Sequence, residues 1–598
     1  MKTIIIILTL FTGILLLNSC EKYLDKTPYS EVTESDIFST YESFQGFMNQ
    51  LYPEVINYNT HGIASSLDGG GDIISNNRTG TWGNTGDYWA WLAPTSQGIF
   101  QNTGEWGWGK YSVAGTSGAP TSGIWTNSWR ALRTTNVALK NLPLLTNATA
   151  EEKDLIKGQA YFFRAFFHWE IIRSFGGMPY IDTVFSPSDP LNRPRLSYQE
   201  STDRLVEDLD LAASLLPENW DDTDVGAQRP GANIGRPTKG AALAFKAKAL
   251  LYAGSPAMNG FSGNTFAYNN SYMERAAAAA AEVIKIANKG VYTLIPFSEY
   301  RDMFARKDVN TPWTSETLFA KIPQPGGDEI GRGALFTTHG RMYNPSRFGG
   351  NSINQTPNQN YVDRFEMADG TRYRVEYDNN NALRWDFRDP RFRQNIIVDR
   401  DQWGFHANTI FRMYVGGTDK GSTVGMFTPY VIKKFWPIGV NGYDGEFNNF
   451  KFIIPHMRLA DVYLIYAEAV NEAYGPNGTA PGLALTAVDA INLIRARAEQ
   501  PTVTSSATGY SNFRELVWNE RCVELCFEGN YWFDIRRWYV GHLPEYKDIV
   551  DLQFNQAWTS FNRVIIQVRV FENPKHYWMP IPRDQTLIYK EFNQNPGW

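Results

Sequence analysis

Three short stretches begin on a hydroxyl residue and reach a glutamate three positions later: Thr149/Glu152, Ser197/Glu200 and Ser271/Glu274. In such a capping box the hydroxyl accepts from a first-turn N–H and the carboxylate reaches back to the cap, so each pair predicts a helix start. After Thr149, Leu155, Phe162, Phe166, Trp169 and Arg173 recur at helical spacing until Gly176-Gly177. After Ser271 an alanine run, Ala276 to Ala281, leads on to Gly290. Between them Thr238 to Gly254 is Ala-rich, carries Phe245 and Tyr252, and follows Pro237. Earlier, Trp125, Trp129, Leu132, Asn136 and Leu139 form one helical stripe, which predicts that both indoles are buried. The segments Val462–Tyr474 and Leu485–Glu499 pair in the same way. Small residues at the crossings let helices approach closely. The expected fold is therefore mainly α: tetratricopeptide-like helix pairs (an α-α superhelix) overlaid by long irregular loops and a few short strands.

Helix signals fill residues 33–290 and 456–541, the expected scaffold, while 60–124 and 291–455 are loop-rich insertions. The second insertion is rich in Gly, Pro and Asn and holds β-like runs at Glu316–Ile322 and Tyr430–Trp436. No linker-like stretch divides the chain, so residues 20–598 are expected to form a single domain after a signal peptide at 1–19. That opening, MKTIIIILTLFTGILLLNSC, has an apolar run from Ile4 to Leu17. A transmembrane helix needs roughly 20 apolar residues, so the run suits export better than spanning. Leu17 fits ordinary cleavage poorly, and Leu17-Asn18-Ser19-Cys20 looks like a bacterial lipobox, which makes Cys20 the expected site of lipid (palmitate) attachment and the link to a membrane. Cys522 and Cys526 stand four apart on a helix, a geometry that suits buried unpaired thiols better than a disulfide.

The chemistry of the loops is unusual. Seven of the 25 residues from Asp87 to Tyr111 are aromatic, four of them Trp89, Trp91, Trp106 and Trp108, in a background of loop-forming residues. A flat ring offers apolar contact to the C–H face of a pyranose, and Trp and Tyr lose little entropy on ordering. Asp72, Asn77, Arg78 and Trp82, just upstream, add the directional hydrogen bonds a sugar needs. Glycan binding is the expectation, with two or three rings facing ligand and the rest packed beneath the loops. A net charge of −6 without a basic run argues against nucleic acid and mildly against strongly anionic polysaccharides. The seven His are dispersed, and P-loop, dinucleotide and nucleophile-elbow motifs are missing, so no catalytic residue, metal or cofactor is assigned. His168 reads as a core histidine and Asp221-Asp222-Thr223-Asp224 as a solvated acidic loop. Two rivals stay open. One is a glycoside hydrolase, for which Asp87 and Glu105 are the carboxylate pair to test; the other is a helical-repeat scaffold gripping a peptide.

Several segments in order resemble the SusD/RagB family of surface lipoproteins from Bacteroidetes. They are CEKYLDKTP at Cys20, KGQAYFFRAFFHWEIIRSFGGMPYID at 157–182, GRPTKGAALAFKAKALLYAGSP at 235–256, RLADVYLIYAEAVNEA at 458–473, AINLIRARAE at 490–499, WNERCVELCFEGNYWFDIRRW at 518–538 and YWMPIPRDQTLIYKEFNQNPGW at the end. The resemblance implies a tetratricopeptide-like fold and a non-enzymatic role. It implies an outer-membrane lipoprotein, facing outward, that captures oligosaccharide or polysaccharide, or another nutrient, for a SusC-like TonB-dependent transporter. It also implies ligand contacts on the early loop and near Trp313. Cys522 stands where an Arg is common, and Tyr531 falls in a stretch that is often basic. Arg164, Glu468, Arg495, Glu520, Arg521, Glu528 and Asp534 sit in apolar helices, where charges are rarely buried unpaired; they are expected to form interhelical ion pairs.

Overall fold

A computed structural model describes residues 33–55, 74–76, 124–190, 192–307, 312–322, 346–348, 355–421, 426–445, 451–506, 509–568, 571–589 and 591–598. Its scaffold is a run of helices: α1 (Tyr41–Met48), α2 (Ile124–Asn141), α3 (Ala150–Phe175), α4 (Tyr198–Leu215), α5 (Lys239–Ala253), α6 (Asn270–Ala287), α7 (Leu459–Tyr474), α8 (Ala487–Arg497), α9 (Phe513–Glu524) and α10 (Tyr531–Arg537). From α2 to α6 each helix packs on its predecessor, and α6 then packs on α7 although residues 288–458 intervene. The superhelix thus continues across the second insertion.

Local chemistry explains most boundaries. At α3 Thr149 Oγ1 accepts from Glu152 N at 3.2 Å and Glu152 Oε2 accepts from Thr149 N at 2.7 Å; the helix stops at Gly176, φ +78°. Ser197 and Glu200 close the same box on α4. The third box is not formed. Helix α6 begins earlier, at Asn270, and Asn269 is its cap, accepting from Tyr272 N, while its own N–H donates to Gly254 O at 2.8 Å. Asn caps as well as Ser, and that backbone bond settles which residue takes the place.

Between Leu155 and Phe175, α3 is buried on nearly every side, and Phe245 and Phe319 meet Phe162, Phe166 and each other edge to face at 5.1–5.7 Å. Fully buried Ala276, Ala277, Ala280 and Ala281 let α6 lie close on both α5 and α7. Trp125 and Trp129 are half-buried, not buried. The stripe of α2 that faces inward is Ile124, Ser128, Ala131, Leu132 and Thr135, which leaves the indoles on its flank, Trp125 edge-on to Phe175 at 5.0 Å.

A second apolar cluster gathers residues of the 295–454 stretch, from Tyr300 and Phe304 to Trp403, Tyr430 and Trp436. Strands here are short and paired in twos, among them β1 (Ile74–Asn76) with β3 (Gln355–Pro357) and β2 (Thr317–Ala320) with β4 (Pro455–Arg458), while β5 (Asp548–Phe554) and β6 (Phe561–Val568) form a longer hairpin. Helices α9 and α10 serve both clusters, Leu516 and Phe533 on one side, Cys522 and Ile535 on the other. Cys522 and Cys526 are buried free thiols.

The charges in these helices are paired. Arg164 grips Asp208 with two bonds of 2.6 Å, and Glu468 takes both terminal nitrogens of Arg537 at 2.5 and 2.7 Å. Arg521 bridges Asp461 and Asp534. A larger network joins Lys434, Glu528, Arg458, Glu316, Arg497, Glu524, Arg391, Glu520, Arg495 and Glu366, every side chain of it 5% exposed or less. Removing one partner of such a pair strands a buried charge, whereas the intact set is close to neutral in energy; its value is geometric, because it fixes helices to the insertion.

Candidate ligand cleft at Trp313

Of the residues singled out for glycan contact, Trp313 alone falls within the described residues. Asp72, Asn77, Arg78, Trp82, Trp89, Trp91, Trp106 and Trp108 lie outside them, as do Cys20, Asp87 and Glu105. Between Asp72 and Asn77, strand β1 is described, in register with β3 as Ile74↔Pro357, Ser75↔Thr356 and Asn76↔Gln355.

Trp313 is half-buried and borders a cleft of about 590 Å³ built from three connections: 218–222, 231–238 and 289–292. Strand β2 leaves the same rim, and Glu316 just before it is buried, its carboxylate accepting from Arg458 Nη1 at 2.7 Å, Arg497 Nη1 at 3.1 Å and Ile295 N at 3.2 Å. The turn that carries Trp313 is therefore tied to the buried ionic network. Opposite it, Gly235 has φ +87°, a left-handed conformation that suits glycine. A Cβ there would come within 2.5 Å of Ile322 Cγ1, so the absent side chain makes room for Ile322, while Trp313 Cζ3 at 3.8 Å would be in ordinary contact. Gly240 does the same for the cleft wall, since a Cβ would lie 2.5 Å from the Tyr292 ring.

The floor combines rings with fixed hydrogen bonds. Trp220 is buried and donates from Nε1 to Pro237 O at 2.9 Å. The Arg236 guanidinium stands 5.6 Å from the Trp220 ring and 5.8 Å from Tyr52, and its Nε donates to Asn233 Oδ1 at 2.9 Å. Tyr292 and Thr238 share a hydroxyl contact of 2.7 Å, and burial pushes the Tyr292 phenol up to about 12, so it stays protonated at neutral pH. At the rim Asp221 accepts from Gly231 N at 3.0 Å, Lys289 pairs with Glu218 at 2.7 Å, and Asp222, Lys289 and Ser315 are exposed. Rings flanked by Asp, Asn, Ser and Lys side chains give apolar contact with hydrogen bonds on either side. No His, Cys, Asp or Glu group among the described residues could hold a metal ion. Trp220, Arg236 and Tyr292 were not anticipated; Gly235-Arg236-Pro237 was visible as part of a motif, but not as a cleft wall.

His168 is buried, stacks on Tyr180 at 3.9 Å, accepts from Ile181 N on Nε2 at 3.0 Å and gives its Nδ1 proton to Arg164 O, as expected of a core histidine.

Residues 326–598 match a family model described as the SusD family, and residues 22–251 match one described as starch-binding, associating with outer membrane. A SusD-like protein (P2) of Formosa agariphila is 25% identical over 70% of this chain and 72% of its own. Among solved structures, a SusD-like protein from Bacteroides fragilis aligns with a TM-score of 0.69 at 23% identity, covering 96% of this chain and 100% of that one. A SusD-like carbohydrate binding protein, also from Bacteroides fragilis, aligns with a TM-score of 0.65 at 18% identity, covering 93% and 99%. These likenesses show the helix-pair fold.

Proposed function

The chain belongs to the SusD/RagB family, and from that premise we propose that it binds oligosaccharide or polysaccharide at the Trp313 cleft and on the aromatic segment 82–108, without acting on it. The observation that carries this reading is the cleft itself: a half-buried Trp set on a rigid turn, facing a floor of rings among exposed hydrogen-bonding groups. Such a surface suits a pyranose, which has apolar faces and a rim of hydroxyls. The similar protein from Bacteroides fragilis named as carbohydrate binding supports it. The family model that covers the N-terminal part is described as associating with the outer membrane. We place the chain there by a lipid on Cys20, facing outward and handing its ligand to a SusC-like TonB-dependent transporter. Among the described residues no helix is long and apolar enough to cross a membrane.

The test is affinity electrophoresis of the protein lacking residues 1–20 on a panel of polysaccharides. Trp313→Ala and Gly235→Ala serve as cleft variants, and Trp89, Trp91, Trp106 and Trp108 changed together to Ala as the loop variant. Retardation by one glycan, weakened about tenfold by Trp313→Ala and also by Gly235→Ala in folded protein, is expected; losing one stacked ring costs on the order of 1–2 kcal/mol. Retardation untouched by every variant removes the ligand from these surfaces, and turnover of the glycan overturns the non-catalytic reading.

A further inference from the structure

A second cavity, of about 640 Å³, lies away from the Trp313 cleft, between the one-turn helix Gln359–Val362, helix α9 and the start of the β5–β6 hairpin. It is of a size that holds small ligands. Five tyrosines and Trp518 line it, and most of their polar atoms are already committed: Tyr510 donates to Glu366, Tyr373 to Asp378 at 2.8 Å, and Trp518 Nε1 to Tyr268 Oη at 3.1 Å. Asp363, also on the wall, is held by Arg563 at 2.5 Å.

Arg364 differs. Its guanidinium lines the cavity, donates to Tyr531 Oη at 3.0 Å and stands over the Tyr531 and Tyr546 rings at 5.4 and 5.5 Å, with no carboxylate among the described residues in ion-pair contact. By contrast, Arg495, Arg497, Arg521 and Arg537 of α8, α9 and α10 each meet a carboxylate. Arg372, exposed on the same wall, stands 4.9 Å from the Tyr510 ring and has no ion-paired carboxylate among the described residues. Two guanidiniums free of direct ion pairs among the described residues, set among ring faces and hydroxyls, can receive an anion that also has apolar faces. A planar carboxylate meets a guanidinium with two parallel bonds, and a sugar ring lies against tyrosine and tryptophan.

We propose that this cavity is a second ligand site, for the uronic acid residues of an acidic oligosaccharide, with Arg364 binding the carboxylate. The sugar half of the assignment rests on the glycan-binding reading above; the carboxylate half rests on Arg364 alone. A net charge of −6 does not oppose it, because a carboxylate seated on Arg364 responds chiefly to that adjacent guanidinium. Glu515 and Glu545 also line the cavity, Glu515 accepting from Ser511 N at 3.1 Å, and they are the like charges a carboxylated ligand would meet there.

The experiment is calorimetric titration of the protein lacking residues 1–20 with sodium tri-galacturonate, beside maltotriose as the neutral probe, with the fluorescence of Trp518 as a second readout. Arg364→Gln should weaken tri-galacturonate about tenfold or more, as expected for a hydrogen-bonded charge, and leave maltotriose unchanged. Glu515→Gln keeps Arg364 in place and should tighten tri-galacturonate; weaker binding in that variant would show that the ligand is not anionic there and overturn the proposal even if Arg364→Gln failed to fold. Trp313→Ala should leave the tri-galacturonate signal intact. A protein that binds a neutral glycan at the Trp313 cleft but takes up tri-galacturonate with no dependence on Arg364, or not at all, refutes the second site and leaves the first reading standing. Failure of every glycan at both places overturns both.

Discussion

Glu524 meets three guanidiniums, and replacing it by glutamine tests whether the buried network holds the scaffold to the insertion. Its side chain is fully buried and accepts from Arg458 at 2.8 Å, from Arg391 at 3.2 Å and from Arg497 at a shorter distance still. Burial pushes its carboxyl upward, but Arg497, Arg458 and Arg391 outweigh that and hold it well below the usual carboxylate range. Glutamine keeps the shape and removes the charge, leaving three guanidiniums with fewer counterions. Breaking a buried ionic contact in this way costs about 3–5 kcal/mol. At about 2.1 cal/mol/K per residue, a chain of this length has an unfolding entropy of roughly 1.2 kcal/mol/K, so the melting temperature should fall by about 2.5–4 °C. Calorimetry at pH 7 measures this, with Arg204→Gln, which breaks a pair whose side chains are 47% and 41% exposed, as a control expected to move it by less than about 1 °C. For a carboxyl lowered on folding, stability is fully present above its ordinary value of 4.5 and lost as pH falls from there toward the folded value. The gap between wild type and variant should therefore persist from pH 7 to 5 and narrow only in stronger acid. A variant that melts with the wild type at pH 7 refutes the network as a clamp.

Two further outcomes follow from buried titrating groups. Burial pushes the His168 imidazole down to about 3, with Arg164 and Arg204 adding to it, so the folded protein keeps it neutral where the unfolded chain takes a proton below 6.5. Its contribution is whole above 6.5 and shrinks as pH falls, by on the order of 2 kcal/mol at pH 5; melting curves from pH 7 to 5 should be shallower in His168→Asn, and parallel curves exclude the effect. Burial likewise pushes the Cys522 and Cys526 thiols up to about 12, so a thiol-specific disulfide reagent should find none in the native protein lacking residues 1–20 and both after denaturation. Stoichiometric reaction of the native protein would contradict their burial.

Helix starts were legible where a cap and its glutamate stand three residues apart, as at Thr149 and Ser197, because a capping box is a local object. Ser271 misled for the complementary reason: the backbone bond from Asn269 to Gly254 crosses from another helix and leaves no trace in the neighbouring residues. Arg164, Glu468, Arg495, Glu520, Arg521, Glu528 and Asp534 could be read as paired, since an unpaired buried charge is costly wherever it sits. Their partners could not. Arg391 meets Glu520 across 129 residues and Arg458 meets Glu316 across 142, and both Glu316 and Glu524 went unremarked in the sequence. At the cleft Trp313 was anticipated by resemblance, whereas Trp220, Arg236 and Tyr292 come together from separate connections whose spacing carries no signal.

What the sequence determined by itself is the helical scaffold and the apolar character of its faces, because caps, alanine runs and 3.6-residue spacing act within a turn or two. Only the tertiary structure decided that α6 meets α7 across the insertion, that Trp125 and Trp129 lie on a flank, and that Arg364 at the second cavity meets Tyr531 and no ion-paired carboxylate among the described residues. The physical reason is the same in each case. The free energy of a buried ring or charge depends on what the rest of the chain places within a few ångströms of it, and that placement is set by packing between segments far apart in the chain.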